Sequence, residues 1–246
     1  MKMEWYASWF NSPYYHILYK NRDDAEAKRA IDGLLTALQL PPGSRILDLA
    51  CGKGRHSRYL AGCGYDVTGL DISNASISFA RQFEHENLAF YQHDMRQTFR
   101  SNYFDAVMNF FTSFGYFEKD RDHIRTLRHI ATNLKPNGIF LLDFLNAGFV
   151  KNTLVPKEEK NVDGIEFHIS RKIEGGHVYK RVEFEVNGKP QYFEERVRLF
   201  DKKTLFDMLD SVELHPEVVY GDYDLSQFDP EKSNRLIILA RKQKQV

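Results

Sequence analysis

The sequence predicts an α/β fold: a doubly wound, seven-stranded, mostly parallel sheet with an antiparallel β-meander inserted after the fifth strand. Three observations lead there. After the turn cluster Pro41-Pro42-Gly43, short continuous apolar runs alternate with longer segments of helical period, the pattern of parallel strands covered on both faces. Between Gly164 and Phe200 the apolar period falls to two, which marks antiparallel strands with one face covered. At 246 residues the chain is long enough for one large core carrying an elaborate insertion.

Taken in order, residues 1–40 form a helical lid. Trp5, Tyr6, Trp9, Phe10, Tyr14, Tyr15 and Tyr19 crowd its start and Ala25 to Leu38 has helical period, so this segment packs on the core or roofs a pocket. RILDLA (Arg45 to Ala50) reads as the first strand and Arg55 to Ala61 as the start of a helix. YDVTGLD (Tyr65 to Asp71) is the second strand, followed by a helix capped by Ser73 or Asn74 and running to about Glu86. LAFYQ (Leu88 to Gln92) and FDAVMNFF (Phe104 to Phe111) are the third and fourth strands. Asp120 to Leu134 is an amphipathic helix ended by Lys135-Pro136-Asn137-Gly138, and GIFLLDF (Gly138 to Phe144) is the fifth strand.

In the insertion, residues 160–200, Val178, Val182, Phe184 and Val186 share one face and Arg181, Glu183 and Glu185 the other, with hairpin turns at Gly175-Gly176 and Asn187-Gly188. That predicts a three-stranded meander, too small to stand alone, serving as a substrate cover or a dimer contact. Asp201 to Leu214 returns to helix, and EVVYGDY (Glu217 to Tyr223) and RLIILARK (Arg235 to Lys242) form a terminal antiparallel pair on the main sheet. The core domain is therefore assembled from residues 41–150 and 201–246.

Composition narrows the partners. Lys plus Arg and Asp plus Glu both number 34, so no global field attracts a polyanion. No run approaches the roughly 20 apolar residues of a membrane span, and MKMEWYASWF lacks the features of a signal peptide; a cytoplasmic location is expected. Cys51 and Cys63 are too few for a disulfide framework and lack the spacing of a zinc site. No metal is expected, and Cys51, among small residues, reads as a packing residue.

The stretch Leu47 to Ser57, LDLACGKGRHS, carries the chemistry. At the carboxyl end of a first parallel strand, a glycine-rich turn lets a ligand approach the backbone, and Gly52 and Gly54 suit that position. A dinucleotide prefers a third glycine where this chain has Ser57, and Asp48 places a carboxylate near its pyrophosphate. S-adenosylmethionine has no phosphate and carries a sulfonium and an ammonium, so Asp48 favours it. Asp71, 19 positions after Gly52, ends the second strand where a carboxylate accepts ribose hydroxyls. Asp94, in QHDMR after the third strand, is placed to accept from an adenine amino group, with the amide of Met95 serving a ring nitrogen.

LDLACGKGRHS, VTGLDIS, HDMR, FDAVMNFFTSFGYF and NGIFLLDF, in this order and spacing, resemble the class I S-adenosylmethionine-dependent methyltransferases, with their Rossmann-like fold. The likeness is strong over about residues 15 to 145 and is greatest to small-molecule enzymes such as the aminosugar N-methyltransferases and glycine N-methyltransferase. The resemblance implies that Asp48, Ala50 and Gly52 line the methionine portion, Asp71 and Ile72 the ribose, and Asp94 and Met95 the adenine. It places Asn109 and Phe110 near the transferring methyl, and maps the cofactor lid YHILYKNR onto Tyr15 and Arg22, the latter pairing with the cofactor carboxylate.

Methyl transfer needs alignment more than a covalent nucleophile, so the catalytic candidates are Asn109, Tyr15, Thr112 and Ser113. If a general base is used, His16, His56, His93, Tyr15 and Tyr116 are all available. The mixed charges of KRVEFEV and YFEERVR form no basic track, and NFFT lacks the prolines of amino-methylating nucleic-acid enzymes. A small-molecule acceptor methylated on nitrogen or oxygen is expected, with no nucleic acid, no membrane, and a monomer or homodimer. The alternatives are a protein acceptor, a noncatalytic S-adenosylmethionine-binding protein and a dinucleotide oxidoreductase.

Overall fold

The main sheet of the computed structural model, which describes residues 4–20 and 24–243, explains why the strands read as unbroken apolar runs. Strands β1 (Arg45–Leu49), β2 (Asp66–Asp71), β3 (Leu88–Gln92), β4 (Phe104–Asn109) and β5 (Leu134–Leu145) are joined by helices α4 (Arg55–Gly62), α5 (Asn74–Ala80) and α6 (Asp120–Asn133). They pair in parallel as β5-β4-β1-β2-β3; β11 (Arg235–Lys242) runs antiparallel to β5 and β10 (Leu214–Tyr220) antiparallel to β11, completing seven strands. The pleat sends Leu47 and Leu49 into a core with α6 and α8 (Lys202–Asp210), and Ile46 into a second core with α3 (Asp24–Leu38) and α4. Burial on both faces is what removes alternation from such strands. The order reverses between β1 and β4, the switch point at whose carboxyl edge ligands bind in open α/β sheets.

Several elements differ from the sequence expectation: β4 ends at Asn109 rather than Phe111, and β5 starts at Leu134 rather than Gly138, so Lys135-Pro136-Asn137-Gly138 lies within the strand. The helix after β2, capped by Ser73 Oγ, stops at Ala80 and a 3-10 turn, because Glu84 Oε1 accepts from Phe90 N at 2.7 Å and turns the chain into β3. Helix α8, capped by Asp201, ends at Asp210, and β10 starts at Leu214. Helix α7 (Ala147–Thr153), capped by Asn146, follows β5 where no element was expected.

A further difference is in the insertion. It is a separate sheet of four strands, β6 (Lys157–Val162), β7 (Ile165–Glu174), β8 (His177–Val186) and β9 (Lys189–Arg198), not three. The extra strand, KEEKNV, is an edge strand rich in charge, a composition that guards an edge and hides its strand character. The hairpin turns fall at Gly175-Gly176 and Asn187-Gly188, as expected.

The insertion's inner face is covered within the chain. Helices α1 (Trp5–Phe10) and α2 (Pro13–Leu18) pack Trp9 and Leu18 onto Phe167, Ile169, Val182 and Phe184. Covering that face therefore requires no second copy. Two six-residue helices are too short to persist alone, so the sheet and the lid stabilise each other. The far end of β9 is tied to the main body where Arg198 N donates to Gly115 O at 2.9 Å.

Candidate active site

The lid, the inserted sheet and the carboxyl edge of the main sheet enclose a cavity of about 1060 Å³. At its floor Ala50 and Gly52 have positive φ (64° and 56°), as does Gly54 (80°) in the same bend. Open space stands where a Cβ on Gly52 would be, so a ligand can lie against that backbone. At Gly54 a Cβ would meet the Phe90 ring at 2.5 Å; this glycine serves packing rather than the ligand.

Asp71 closes the bend. Its Oδ2 accepts from Gly52 N at 2.9 Å and its Oδ1 from Ser73 N at 2.7 Å. Burial raises its pKa against the pull of those amides, and each oxygen keeps a lone pair that a diol on the cavity side can use. Ala50, Gly52, Asp71, Ile72, Asp94, Met95 and Phe110 all line the cavity, as do Tyr15, Thr112 and Ser113. Arg22 lies outside the described residues.

Two expected wall residues are elsewhere. Asp48 is 1 % exposed and does not reach the cavity. It shares its parity with Ile46, so the pleat turns it toward α4, where Ser57 Oγ donates to its Oδ2 at 2.6 Å. Burial pushes its pKa up to about 7, with the nearby Asp71 charge adding to the rise. Asn109, also 1 % exposed, is likewise absent from the wall. Its Nδ2 donates to Leu49 O at 2.9 Å, tying β4 to β1, while its Oδ1 has no hydrogen-bond partner among the described residues. A role for either residue acts through the bend, not by direct contact.

Asp94 reaches the cavity but is engaged. Arg96 grips it through Nε to Oδ1 (3.0 Å) and Nη2 to Oδ2 (2.7 Å), and extends to Glu4 in the lid. Burial alone would raise the Asp94 pKa; the Arg96 guanidinium and amide reverse that and hold it below its ordinary value.

The loop after β4 is held by a network that the sequence reading missed. Phe111 and Thr112 both have positive φ, 54° and 62°, a conformation that costs about 1–3 kcal/mol per residue and persists only where surroundings enforce it. Fully buried Asp143 enforces it: its carboxylate accepts from Phe111 N, Tyr223 OH and Arg235 Nε, each at 2.7 Å, while its carbonyl takes Thr112 N. Arg235 Nη2 then donates to Thr112 Oγ1 at 3.1 Å. An acid inside the apolar run GIFLLDF was the available signal, since a buried charge must be paired. Ser113 Oγ donates to Phe110 O at 2.8 Å, and Phe114 turns away into the core beside Phe144 and Phe200.

Of the base candidates, His16, His56, His93, Tyr15 and Tyr116 all line the cavity. Burial, with help from Lys53, pushes His16 down to about 4, so it is neutral at pH 7. His56 stacks on Phe110 at 4.7 Å. Cys51 is buried, and burial raises its thiol pKa well above the ordinary value; this suits packing and not nucleophilic chemistry. Other wall residues also went unread in the sequence: Glu158, Arg171, Lys180 and Glu195 from the inserted sheet.

S-adenosylmethionine fits this floor. The glycine at position 52 leaves its Cβ space open, no phosphate-binding third glycine is present, and a buried carboxylate stands at the end of β2. Removing Asp71 as Asp71→Ala is expected to weaken S-adenosylhomocysteine binding by roughly 1–3 kcal/mol. Isothermal calorimetry checks this, and wild-type affinity would remove Asp71 from the site.

Comparison with known proteins points the same way. A family model described as a methyltransferase domain matches residues 46–138. YqeM of Bacillus subtilis is 43% identical over 107 residues, 42% of this chain and 43% of that one. The dTDP-3-amino-3,4,6-trideoxy-alpha-D-glucopyranose N,N-dimethyltransferase of Streptomyces venezuelae is 28% identical over 130 residues, 52% of this chain and 54% of that one. The match thus spans about half the length of these curated relatives. A crystal structure of an S-adenosylmethionine-dependent methyltransferase from Clostridium acetobutylicum superposes with a TM-score of 0.78 at 17% identity, covering 94% of this chain and 96% of that one, and so shares the fold. Residues 46–138 of this chain therefore match a methyltransferase domain, and the chain shares the fold of an S-adenosylmethionine-dependent methyltransferase.

Proposed function

We propose that this protein transfers the methyl group of S-adenosylmethionine to a nitrogen or oxygen of a small molecule enclosed beneath the lid. The observation that carries this reading is the cavity itself. At about 1060 Å³ it exceeds the roughly 300–1,000 Å³ of a site for one drug-sized ligand, and it continues from the glycine bend to a chamber walled by the inserted sheet. That is room for a donor and an acceptor together.

S-adenosylmethionine supplies a methyl group already activated on sulfonium. Asp71 and Ile72 are assigned to its ribose, Met95 and Asp94 to its adenine, and the backbone of Ala50 and Gly52 to its amino-acid end. Arg22 is assigned to the carboxylate. Phe110 and the strained Phe111-Thr112 turn set the floor between donor and acceptor, with Asn109 fixing the end of β4 behind them. Tyr15, Thr112 and Ser113 position the acceptor, and Trp5, Tyr6, Phe10 and Tyr116 of the aromatic wall exclude water. With a pKa of about 4, His16 is too weak a base to strip a proton near pH 7. This removes His16 from the candidate bases and suits an acceptor nitrogen that arrives unprotonated and needs orientation only.

Incubation with S-adenosylmethionine labelled in the methyl group and a cell extract tests the reading. Label is expected in the dialysable fraction. Label confined to protein would transfer the proposal to a protein acceptor, and tight S-adenosylhomocysteine binding with no transfer to either fraction would refute catalysis.

A further inference from the structure

The inserted sheet presents one continuous face with two characters. Along its strands, side chains of one parity share a side: Phe167, Ile169 and Arg171 on β7; Val178, Lys180, Val182 and Phe184 on β8; Phe193, Glu195 and Val197 on β9. The lid covers the aromatic end. The other end, with Arg171, Val178, Lys180, Glu195 and Val197, roofs the cavity.

There Arg171 and Lys180 are direct register partners on adjacent antiparallel strands. Like charges directly opposite each other destabilise a sheet, and these two are largely withdrawn from water, with side chains 20% and 14% exposed. Carboxylates flank them on the outer strands. Arg171 Nη2 donates to Glu158 Oε2 at 2.5 Å, and Lys180 Nζ lies 3.6 Å from Glu195 Oε1. That same Glu195 oxygen already accepts from Trp9 Nε1 at 2.8 Å and Tyr19 OH at 2.9 Å, and Lys180 Nζ also donates to Tyr19 OH, so the lid takes part in this charge network. Arg235 also lines the cavity, but its guanidinium is already paired with Asp143. Apolar side chains, Phe149, Val150 and Leu154 among them, also line the cavity.

We propose that Arg171 and Lys180 form a subsite for an anionic group, a carboxylate or a phosphate, on a methyl acceptor whose body is apolar. The inference rests on the methyl-transfer reading of the cavity and adds the chemical class of the acceptor. Two adjacent cations in a half-dry chamber match two oxygens of one oxyanion, and the guanidinium supplies the planar fork that such groups favour. Glu158, held below its ordinary pKa chiefly by the Arg171 hydrogen bond, keeps the guanidinium in place.

The test uses the S-adenosylhomocysteine-loaded protein and three probes with the same ring: benzoate, phenyl phosphate and neutral benzamide. Titration calorimetry is expected to show benzoate or phenyl phosphate binding about 10-fold or more tightly than benzamide, and the tighter anion identifies the acceptor group. In Arg171→Met/Lys180→Met the preference should fall to about unity, while S-adenosylhomocysteine affinity stays at the wild-type value. Arg171→Lys/Lys180→Arg, which keeps both charges, should retain an anion preference. If the neutralised double variant does not fold, Lys180→Gln alone is expected to show a partial loss. Benzamide binding as well as both anions, or a preference that survives charge removal, overturns the subsite and leaves the methyl-transfer reading standing. Failure of the wild type to bind S-adenosylhomocysteine overturns that reading, and the subsite with it.

Discussion

Trp9→Ala is expected to release the lid while leaving the main sheet folded. Trp9 is fully buried, its ring centroid lies 4.5 Å from that of Phe193 and 5.5 Å from that of Tyr15, and its Nε1 donates to Glu195. Truncating a buried tryptophan costs about 3–5 kcal/mol. Helices α1 and α2 have six residues each and cannot hold their own structure, so the loss falls on them locally rather than on the two cores of the seven-stranded sheet. Hydrogen exchange should show amides between residues 5 and 18 losing most of their protection, with those of β1, β4 and β5 unchanged. Trp5, Tyr6, Phe10 and Tyr15 leave the cavity wall with the lid, so S-adenosylhomocysteine should dissociate faster. Trp9→Phe, which keeps an aromatic ring and loses the Glu195 bond, should fall between the two. Unchanged protection over residues 5–18 in Trp9→Ala would show that the lid is anchored elsewhere.

The parts of this molecule that the sequence discloses are those whose physics is local. Strands buried on both faces leave apolar runs, hairpins need glycine at positive φ, and the bend at Gly52 sits where a first parallel strand must end. Parity is local too, but its sense is not. That Asp48 lies on the side of Ile46 and not of Leu47 can be read, whereas which side meets α4 and which the ligand depends on packing. The lid's aromatic density is plain, yet its partner sheet lies over 150 positions away, as Trp9 to Phe193 shows. The Asp143–Arg235 pair spans 92 positions, and no periodicity announces it. Lys180 did leave a trace: between Val178 and Val182 it interrupts the inward apolar row. A charge at an inward position marks either a cavity or a buried pair, and here it marks both.

Asp48→Asn is expected to stabilise the protein at alkaline pH and to do nothing in acid. In the folded chain burial raises Asp48 to about 7, against about 3.9 in an unfolded chain. A carboxyl whose folded pKa is the higher one binds its proton more tightly when folded. Its contribution is therefore complete below about pH 4 and is lost as the pH rises to 7, by about 1.4 kcal/mol per unit, or roughly 4 kcal/mol in all. Asparagine keeps the shape and an oxygen to accept from Ser57, and it does not titrate. The variant should thus match the wild type near pH 4 and exceed it by up to ~4 kcal/mol near pH 8, a rise in Tm of the order of 10 °C for a chain of this size. Thermal melts across that range check this, and equal curves at pH 8 would mean that Asp48 ionises as freely inside as outside. A second readout concerns the ligand. If a sulfonium settles beyond the bend, it favours the ionised carboxylate, so binding of S-adenosylmethionine near pH 7 should release protons from the wild type. Calorimetric enthalpies in buffers of different ionisation heat should then differ for the wild type and converge for Asp48→Asn. S-adenosylhomocysteine, which lacks the sulfonium charge, should release fewer protons, which separates the effect of charge from that of filling the cavity.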